Sequence, residues 1–228
     1  MAGTLYIIAT PIGNLQDITA RALETLKSVD VIACEDTRVT HKLTSHFAIQ
    51  TPRISLHAHS DDRKIAQLVE RIEGGESVAY VSDAGTPGVN DPGGKLAAAA
   101  FRSGITVSPI PGPSALTAAI SVCGFPMERF RYLGFIPTKK GRDAFLRDMS
   151  ETEEAAVLFE STHRITKFFD QLAEHLDAKR LLFVGRELTK RHETLYRGSI
   201  DEIRKSLKNT SSKGEFVIVL APARYTDS

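Results

Sequence analysis

The stretch Val81-Ser82-Asp83-Ala84-Gly85-Thr86-Pro87-Gly88-Val89-Asn90-Asp91-Pro92-Gly93-Gly94 decides how the chain is read. It follows an apolar run, Ser77 to Val81, that reads as a buried strand, and precedes Lys95 to Arg102, which reads as a helix. A strand therefore feeds a long loop crowded with Gly, Pro, Asp and Thr. Glycines let backbone N–H groups approach a ligand because no Cβ stands in the way, and prolines stiffen the loop. Asp83 and Asp91 can accept hydrogen bonds from hydroxyls or amines. In open α/β folds ligands bind where strand ends feed such loops. An ordinary β-to-α turn is the plainer alternative, but it needs only a few residues.

Working outward, the same strand-loop-helix grammar recurs. Leu5 to Ala9 is a short β-rich run ending in Thr10-Pro11-Ile12-Gly13-Asn14. Ile18, Ala22, Leu26 and Val29 then recur at helical spacing, with Asp17 or Thr19 able to cap. Val31 to Cys34 is a second buried strand, followed at once by Glu35-Asp36-Thr37-Arg38. Arg53 to His57 reads as a strand and Asp61 to Ile72 as an amphipathic helix closed by Gly74-Gly75. Thr106 to Ile110 is a fifth strand, after which Pro111-Gly112-Pro113-Ser114-Ala115 opens an apolar helix to Val122. Strands alternating with helices imply a parallel sheet covered on both faces. In such a sheet all four loops leave the same edge.

A boundary is expected at Cys123-Gly124-Phe125-Pro126, dividing the chain into domains 1–123 and 124–228. Beyond it, strands are expected at Arg131 to Phe135, Ala155 to Glu160, Leu181 to Glu187, Glu193 to Arg197 and Glu215 to Ala221. Helices are expected at Gly141 to Met149, Thr162 to Leu176 and Ser199 to Leu207. The neighbouring strands from Leu181 to Arg197 suggest a mixed sheet. The fold class is thus α/β in two domains.

Composition narrows the function. With 228 residues, 42% hydrophobic and 25% charged, the chain is an ordinary globular one. No window approaches eighteen uncharged apolar residues, and the N-terminus runs directly into a strand, so neither a membrane span nor a secretory signal is expected. Cys34 and Cys123 read as buried free thiols of a reducing cytoplasm. His57 and His59 lack the company of a metal site, and no metal is expected. The net charge of +1 hides an asymmetry: residues 1–124 carry 10 basic against 12 acidic side chains, and residues 125–228 carry 19 against 16. Basic clusters at Arg129 and Arg131, Lys139-Lys140-Gly141-Arg142 and Lys190-Arg191-His192 suit either a polyanion or plain solvation. The glycine fingerprints of dinucleotide-binding and P-loop proteins and the nucleophile elbow of α/β-hydrolases are absent.

Eight motifs follow one another in order. They are Ala9 to Leu15, Glu35 to Arg38, Ser82 to Pro87 with Asn90 to Gly93, Pro111 to Ala115, Leu133-Gly134-Phe135-Ile136-Pro137, Phe159-Glu160-Ser161-Thr162-His163-Arg164, Arg186-Glu187-Leu188-Thr189-Lys190 and Lys213-Gly214-Glu215. Together they resemble the tetrapyrrole methylase superfamily, and within it the bacterial branch that methylates a cytidine 2′-hydroxyl of 16S rRNA in the small ribosomal subunit. The resemblance implies S-adenosylmethionine (S-adenosyl-L-methionine) in a cleft between the two domains, a homodimer, and a cytoplasmic protein. Many relatives carry a further small helical domain after the last strand; here it is expected to be absent. The cofactor candidates are Pro11, Gly13, Asp83, Ala84, Gly85, Thr86, Ser114, Ala115, Phe159, Arg186 and Glu215, with backbone near Leu158 and Gly185. Catalytic candidates are Glu35, Asp36, Arg38, His163 and Glu187, with His57 as a further candidate base. Arg129, Lys139, Lys140, Arg142, Arg164 and Lys190 are expected to bind RNA phosphates. The sequence leaves open whether Asp36 and Arg38 are simply a helix cap and a local ion pair. Two rival functions share these features: a small-molecule methylase acting on a tetrapyrrole, and a non-catalytic RNA-binding assembly factor.

Overall fold

A computed structural model describes residues 2–57, 62–211 and 213–227. Compactness divides the chain between Ser114 and Ala115. The first unit contains β1 (Thr4–Ile8), α1 (Ala20–Ser28), β2 (Val31–Cys34), α2 (Thr37–His46), β3 (Arg53–Ser55), α3 (Asp62–Glu73), β4 (Val78–Val81), α4 (Gly93–Arg102) and β5 (Thr106–Ile110). Its five strands lie in the order β3-β2-β4-β1-β5 and every pairing is parallel. β2 and β4 are buried at every residue, as a sheet covered on both faces requires. One face packs Leu5, Val31, Val78 and Tyr80 against Leu68 and Ile72 of α3 and Leu96 and Ala100 of α4. The other packs Ile8, Ile32 and Val81 against Ala22 and Leu26 of α1 and Leu43 of α2. Thr19 caps α1 by accepting from the Ala22 N–H at 3.1 Å. Asp61 and His59 lie outside the described residues.

The second unit contains α5 (Ala115–Cys123), β6 (Phe130–Phe135), α6 (Arg142–Glu151), β7 (Ala155–Ser161), α7 (Ile165–Leu172), β8 (Leu181–Arg186), β9 (Thr194–Ser199), α8 (Ile200–Lys208) and β10 (Glu215–Leu220). The sheet order is β6-β7-β10-β8-β9; β6 and β7 are parallel and the other pairs antiparallel, so the sheet is mixed. Phe168 and Phe169 of α7, Leu146 and Met149 of α6 and Ile203 of α8 fill the core with Leu158, Phe216 and Ile218. α5 packs on β8 and β10, so it groups with this unit, although the sequence break at Cys123–Gly124 groups it with the first half. Ser199 and Glu202 cap α8 reciprocally. Among the described residues no helix is long and apolar enough to cross a membrane.

Arg180 fixes one end of the second sheet. Only 3% exposed, it donates to the carbonyls of Ala221 (2.9 Å), Ser150 (2.9 Å) and Glu154 (3.0 Å). Burial pulls its pKa below the ordinary arginine value, yet three carbonyl acceptors satisfy the fork. Replacing Arg180 with Ala strips three buried carbonyls of their donor and is expected to cost about 3 kcal/mol or more in chemical denaturation. Arg180→Lys, lacking the planar fork, is expected to recover only part of that loss.

Candidate active site

Strand register sets the site of the first unit. Ile8 lies level with Val81 and Ile110, and Cys34 lies level with Val81 and Ser55. The loops after β2, β4, β1 and β5 therefore leave side by side from one sheet edge. They are also stitched together. Thr10 and Gly85 exchange two backbone hydrogen bonds, each of 2.9 Å, and the Thr10 hydroxyl donates to the Ser82 carbonyl at 3.3 Å. Gly85 holds φ at +79°, and a Cβ there would lie 3.2 Å from Ile12 Cγ2. This backbone position and this crowding both favour glycine. The Thr86 hydroxyl donates to the Pro113 carbonyl at 3.1 Å, joining the loop after β5.

On the β2 side the link is reciprocal. The Asp83 N–H donates to Glu35 Oε2 at 3.1 Å, and the Asp36 N–H donates to Asp83 Oδ1 at 3.0 Å. Asp36 also caps α2 through the Arg38 N–H at 2.8 Å and pairs with the Arg38 guanidinium at 2.6 Å. The Arg38 hydrogen bonds hold the Asp36 carboxyl at about 2. Arg38 itself is 87% exposed, so the pair contributes little stability. Burial pushes the Glu35 carboxyl up; the Asp83 N–H opposes that, and the Asp83 and Asp91 charges reinforce it. Asp91 spends both oxygens on the loop itself, accepting from Gly88 N–H (2.7 Å) and Gly93 N–H (2.8 Å). Tyr80, fully buried, has a hydroxyl without a well-formed hydrogen bond. Burial first, then the charges of Asp91 and Glu35, push its pKa up. Pro11 and Ser114 are half-buried, while Gly13 and Ala84 are exposed along this edge; His57 follows β3 and is exposed.

In the second unit Glu160, on β7, has a fully buried side chain that pairs with Arg164 Nε at 2.7 Å. Its Oε1 also accepts from the Ser161 N–H at 2.7 Å, while Oε2 is buried without a partner. Arg164 Nη1 donates to the Ile136 carbonyl at 3.1 Å. Thr162 and Gly214 hydrogen-bond reciprocally at 2.7 and 2.6 Å. Glu187, at φ +53°, accepts from the Glu215 N–H and from Lys190 Nζ, each at 2.9 Å. Lys190 also pairs with the Glu215 carboxylate at 2.9 Å. Burial pushes the Glu187 carboxyl up, but the Lys190 and Glu215 hydrogen bonds outweigh it and leave its pKa lowered. Arg186 donates to the carbonyls of Lys213 (2.7 Å) and His192 (3.2 Å). Phe159 stacks edge-on with Tyr132 and Phe135.

Several residues expected at phosphates therefore have internal partners. Arg142 is 8% exposed, with Nε on Gln171 at 2.7 Å and Nη1 on the Pro137 carbonyl at 3.0 Å. Arg164 and Lys190 are spent as above. Arg129, Lys139, Lys140 and His163 are exposed. Ala115 begins α5. Sequence reading passed over Glu160 and Tyr80. The signal for Glu160 was there: a carboxylate ending an apolar strand, with an arginine four residues on. Among the described residues no cluster of His, Cys, Asp and Glu could hold a metal ion.

A parallel sheet with stitched strand-end loops, followed by a mixed sheet, is the arrangement of one class of methyltransferases. The model of the tetrapyrrole (corrin/porphyrin) methylases matches residues 4–204, and the chain belongs to that family and is a methyltransferase. Its curated relatives include the ribosomal RNA small subunit methyltransferase I of Synechocystis, 44% identical over 99% of this chain and 81% of that one. The protein of the same name from Thermotoga maritima is 39% identical over 96% of this chain and 98% of its own. Among solved structures, the uroporphyrin-III C-methyltransferase of Thermus thermophilus superposes with a TM-score of 0.66 over 97% of this chain and 95% of that one. At 18% identity it shows the shared fold alone.

Removing one member of a buried ion pair strands the other. Arg164→Ala is expected to destabilise the protein by about 3 kcal/mol. Adding Glu160→Gln to that variant is expected to restore part of the loss, because a neutral amide tolerates burial better than an unpaired carboxylate. Denaturant midpoints of the two variants check both expectations.

Proposed function

We propose that the chain uses S-adenosylmethionine to methylate the 2′-hydroxyl of a cytidine in 16S rRNA of the small ribosomal subunit. The observation that supports this most is the stitched, acidic strand-end edge of the first unit, in a chain whose full-length relatives carry a ribosomal RNA methyltransferase name. The cofactor carries a sulfonium and an ammonium. Glu35, Asp36, Asp83 and Asp91 make this edge negative, with Arg38 the cation paired there, and exposed Asp83 suits an amine or hydroxyl. The constrained backbone of Gly85 and Thr86, with Pro11, Gly13, Ala84 and Ser114 alongside, offers close polar contact. These residues fit the cofactor. When bound, it supplies an electrophilic methyl group.

The chain's own task is to hold the ribose oxygen in line and accept its proton. Positioning alone supplies much of such a rate. Among the candidate bases, Asp36 is occupied by its cap and by Arg38, and Glu187 by Lys190 and Glu215. Glu35 is left as the carboxylate whose proton affinity is raised, which suits a base. The acidic edge would repel phosphates, so RNA is assigned to the exposed cations Arg129, Lys139 and Lys140 of the second unit. Arg142, Arg164 and Lys190 are left out because they are internally paired. Homodimer formation and a cytoplasmic location belong to the same proposal and rest on the resemblance.

Radiolabelled S-adenosylmethionine incubated with small subunits, or with naked rRNA, from a strain lacking the gene is expected to label RNA in one of the two. No label in either contradicts the proposal, and label on a base contradicts the ribose assignment. Glu35→Gln is expected to lower kcat by about 100-fold or more, with cofactor KM nearly unchanged because the amide oxygen still accepts the Asp83 N–H. Glu35→Ala is expected to raise that KM as well. Wild-type kcat is expected to fall as pH drops through a carboxyl pKa above the ordinary glutamate value, and this limb should vanish in Glu35→Gln. A Gln variant of full kcat makes Glu35 a loop brace only.

A further inference from the structure

β6 is an edge strand: in the order β6-β7-β10-β8-β9 it has a neighbour on one side only, among the described residues. Its last residue, Phe135, is 52% exposed. The ring does not hang loose. It stands edge-on to Phe159 with centroids 5.7 Å apart, and Phe159 stands edge-on to Tyr132 at 5.4 Å. A register shift between Tyr132 and Gly134, with Gly134 at φ +65°, breaks the side-chain alternation just before Phe135. The next two carbonyls are held from inside. Ile136 accepts from Arg164, itself paired with the buried Glu160, and Pro137 accepts from Arg142, itself held by Gln171. Two guanidiniums thus fix consecutive peptide groups between an exposed aromatic ring and the exposed Lys139-Lys140 pair.

We propose that Phe135, Lys139 and Lys140 form a contact site for single-stranded RNA. One unpaired base stacks on the Phe135 ring, and the two ammonium groups meet the adjoining phosphates. Arg142 and Arg164 are positioning residues that keep this edge rigid. The inference rests on the rRNA reading above and adds the mode of contact. Aromatic stacking with neighbouring cations is the physical signature of single-strand binding, because every base has a π-face and every linkage a charge. A second copy of the chain suits the patch less well, since an isologous contact here would bring the lysine pairs of both copies together.

The test measures anisotropy of a fluorescein-labelled single-stranded oligoribonucleotide of cytidine and uridine, and of its duplex, with the full chain at roughly 50 to 200 mM salt. Phe135→Ala is expected to weaken single-strand binding about tenfold, to leave the duplex unaffected, and to leave the salt slope unchanged. Phe135→Trp is expected to bind at least as tightly as the parent. Lys139→Ala with Lys140→Ala is expected to lower the salt slope by about 1. None of these variants is expected to change affinity for S-adenosylhomocysteine, read by calorimetry, which also shows that they fold. Parent-like single-strand binding by Phe135→Ala overturns the site. So does a changed oligomeric state in that variant, which would make the patch an interface between copies. If the parent methylates rRNA but does not bind the oligonucleotide, the contact site alone fails. If it does neither, the rRNA reading fails with it.

Discussion

The two backbone hydrogen bonds exchanged by Thr10 and Gly85 organise the proposed site. They form an antiparallel bridge between loops that leave two neighbouring parallel strands. That geometry needs a residue at positive φ with no side chain pressing on Ile12, which Gly85 supplies. From this bridge the network spreads sideways, through Thr86 to Pro113 in one direction and through Asp83, Glu35 and Asp36 in the other. Four loops thereby behave as one edge. The entropy of ordering them is spent in folding rather than on ligand capture, which is what preorganisation means energetically.

The second unit shows why counting charges misleads. Its excess of basic residues includes Arg142, Arg164, Arg180 and Arg186, and each spends its guanidinium on carbonyl oxygens of the same unit. A planar fork with several fixed donors can satisfy carbonyls that no backbone N–H reaches, so buried arginines act as brackets between chain segments. The positive face left for a polyanion is correspondingly smaller and is centred on residues that have kept their side chains exposed, such as Arg129, Lys139 and Lys140.

Much of the fold was legible because buried parallel strands are written as uninterrupted apolar runs. Val31–Cys34 and Thr106–Ile110 were read to the residue. α2 was not read, because Thr40 and Thr44 occupy buried positions that a periodicity argument expects to be apolar. The alternative held open for Asp36, a helix cap with a local ion pair, is what the structure shows, and that cap begins the unread helix. α7 starts later than its pattern suggests, since Thr162 is tied to Gly214 instead of the helix. The four-loop edge was legible from strand alternation alone. The inward turn of Arg142 and Arg164 was not, since their acceptors Gln171 and Ile136 lie 29 and 28 residues away along the chain.

These observations converge on one claim: the edge built by Thr10, Glu35, Asp83, Gly85 and Thr86 holds the methyl donor. A crystal structure of the protein with S-adenosylhomocysteine tests it most directly. The account predicts density for the ligand against the Asp83 to Thr86 backbone, with the Thr10–Gly85 bridge intact. Density for the ligand away from the strand-end edge of the first sheet, or a bridge that opens to admit it, would contradict the account.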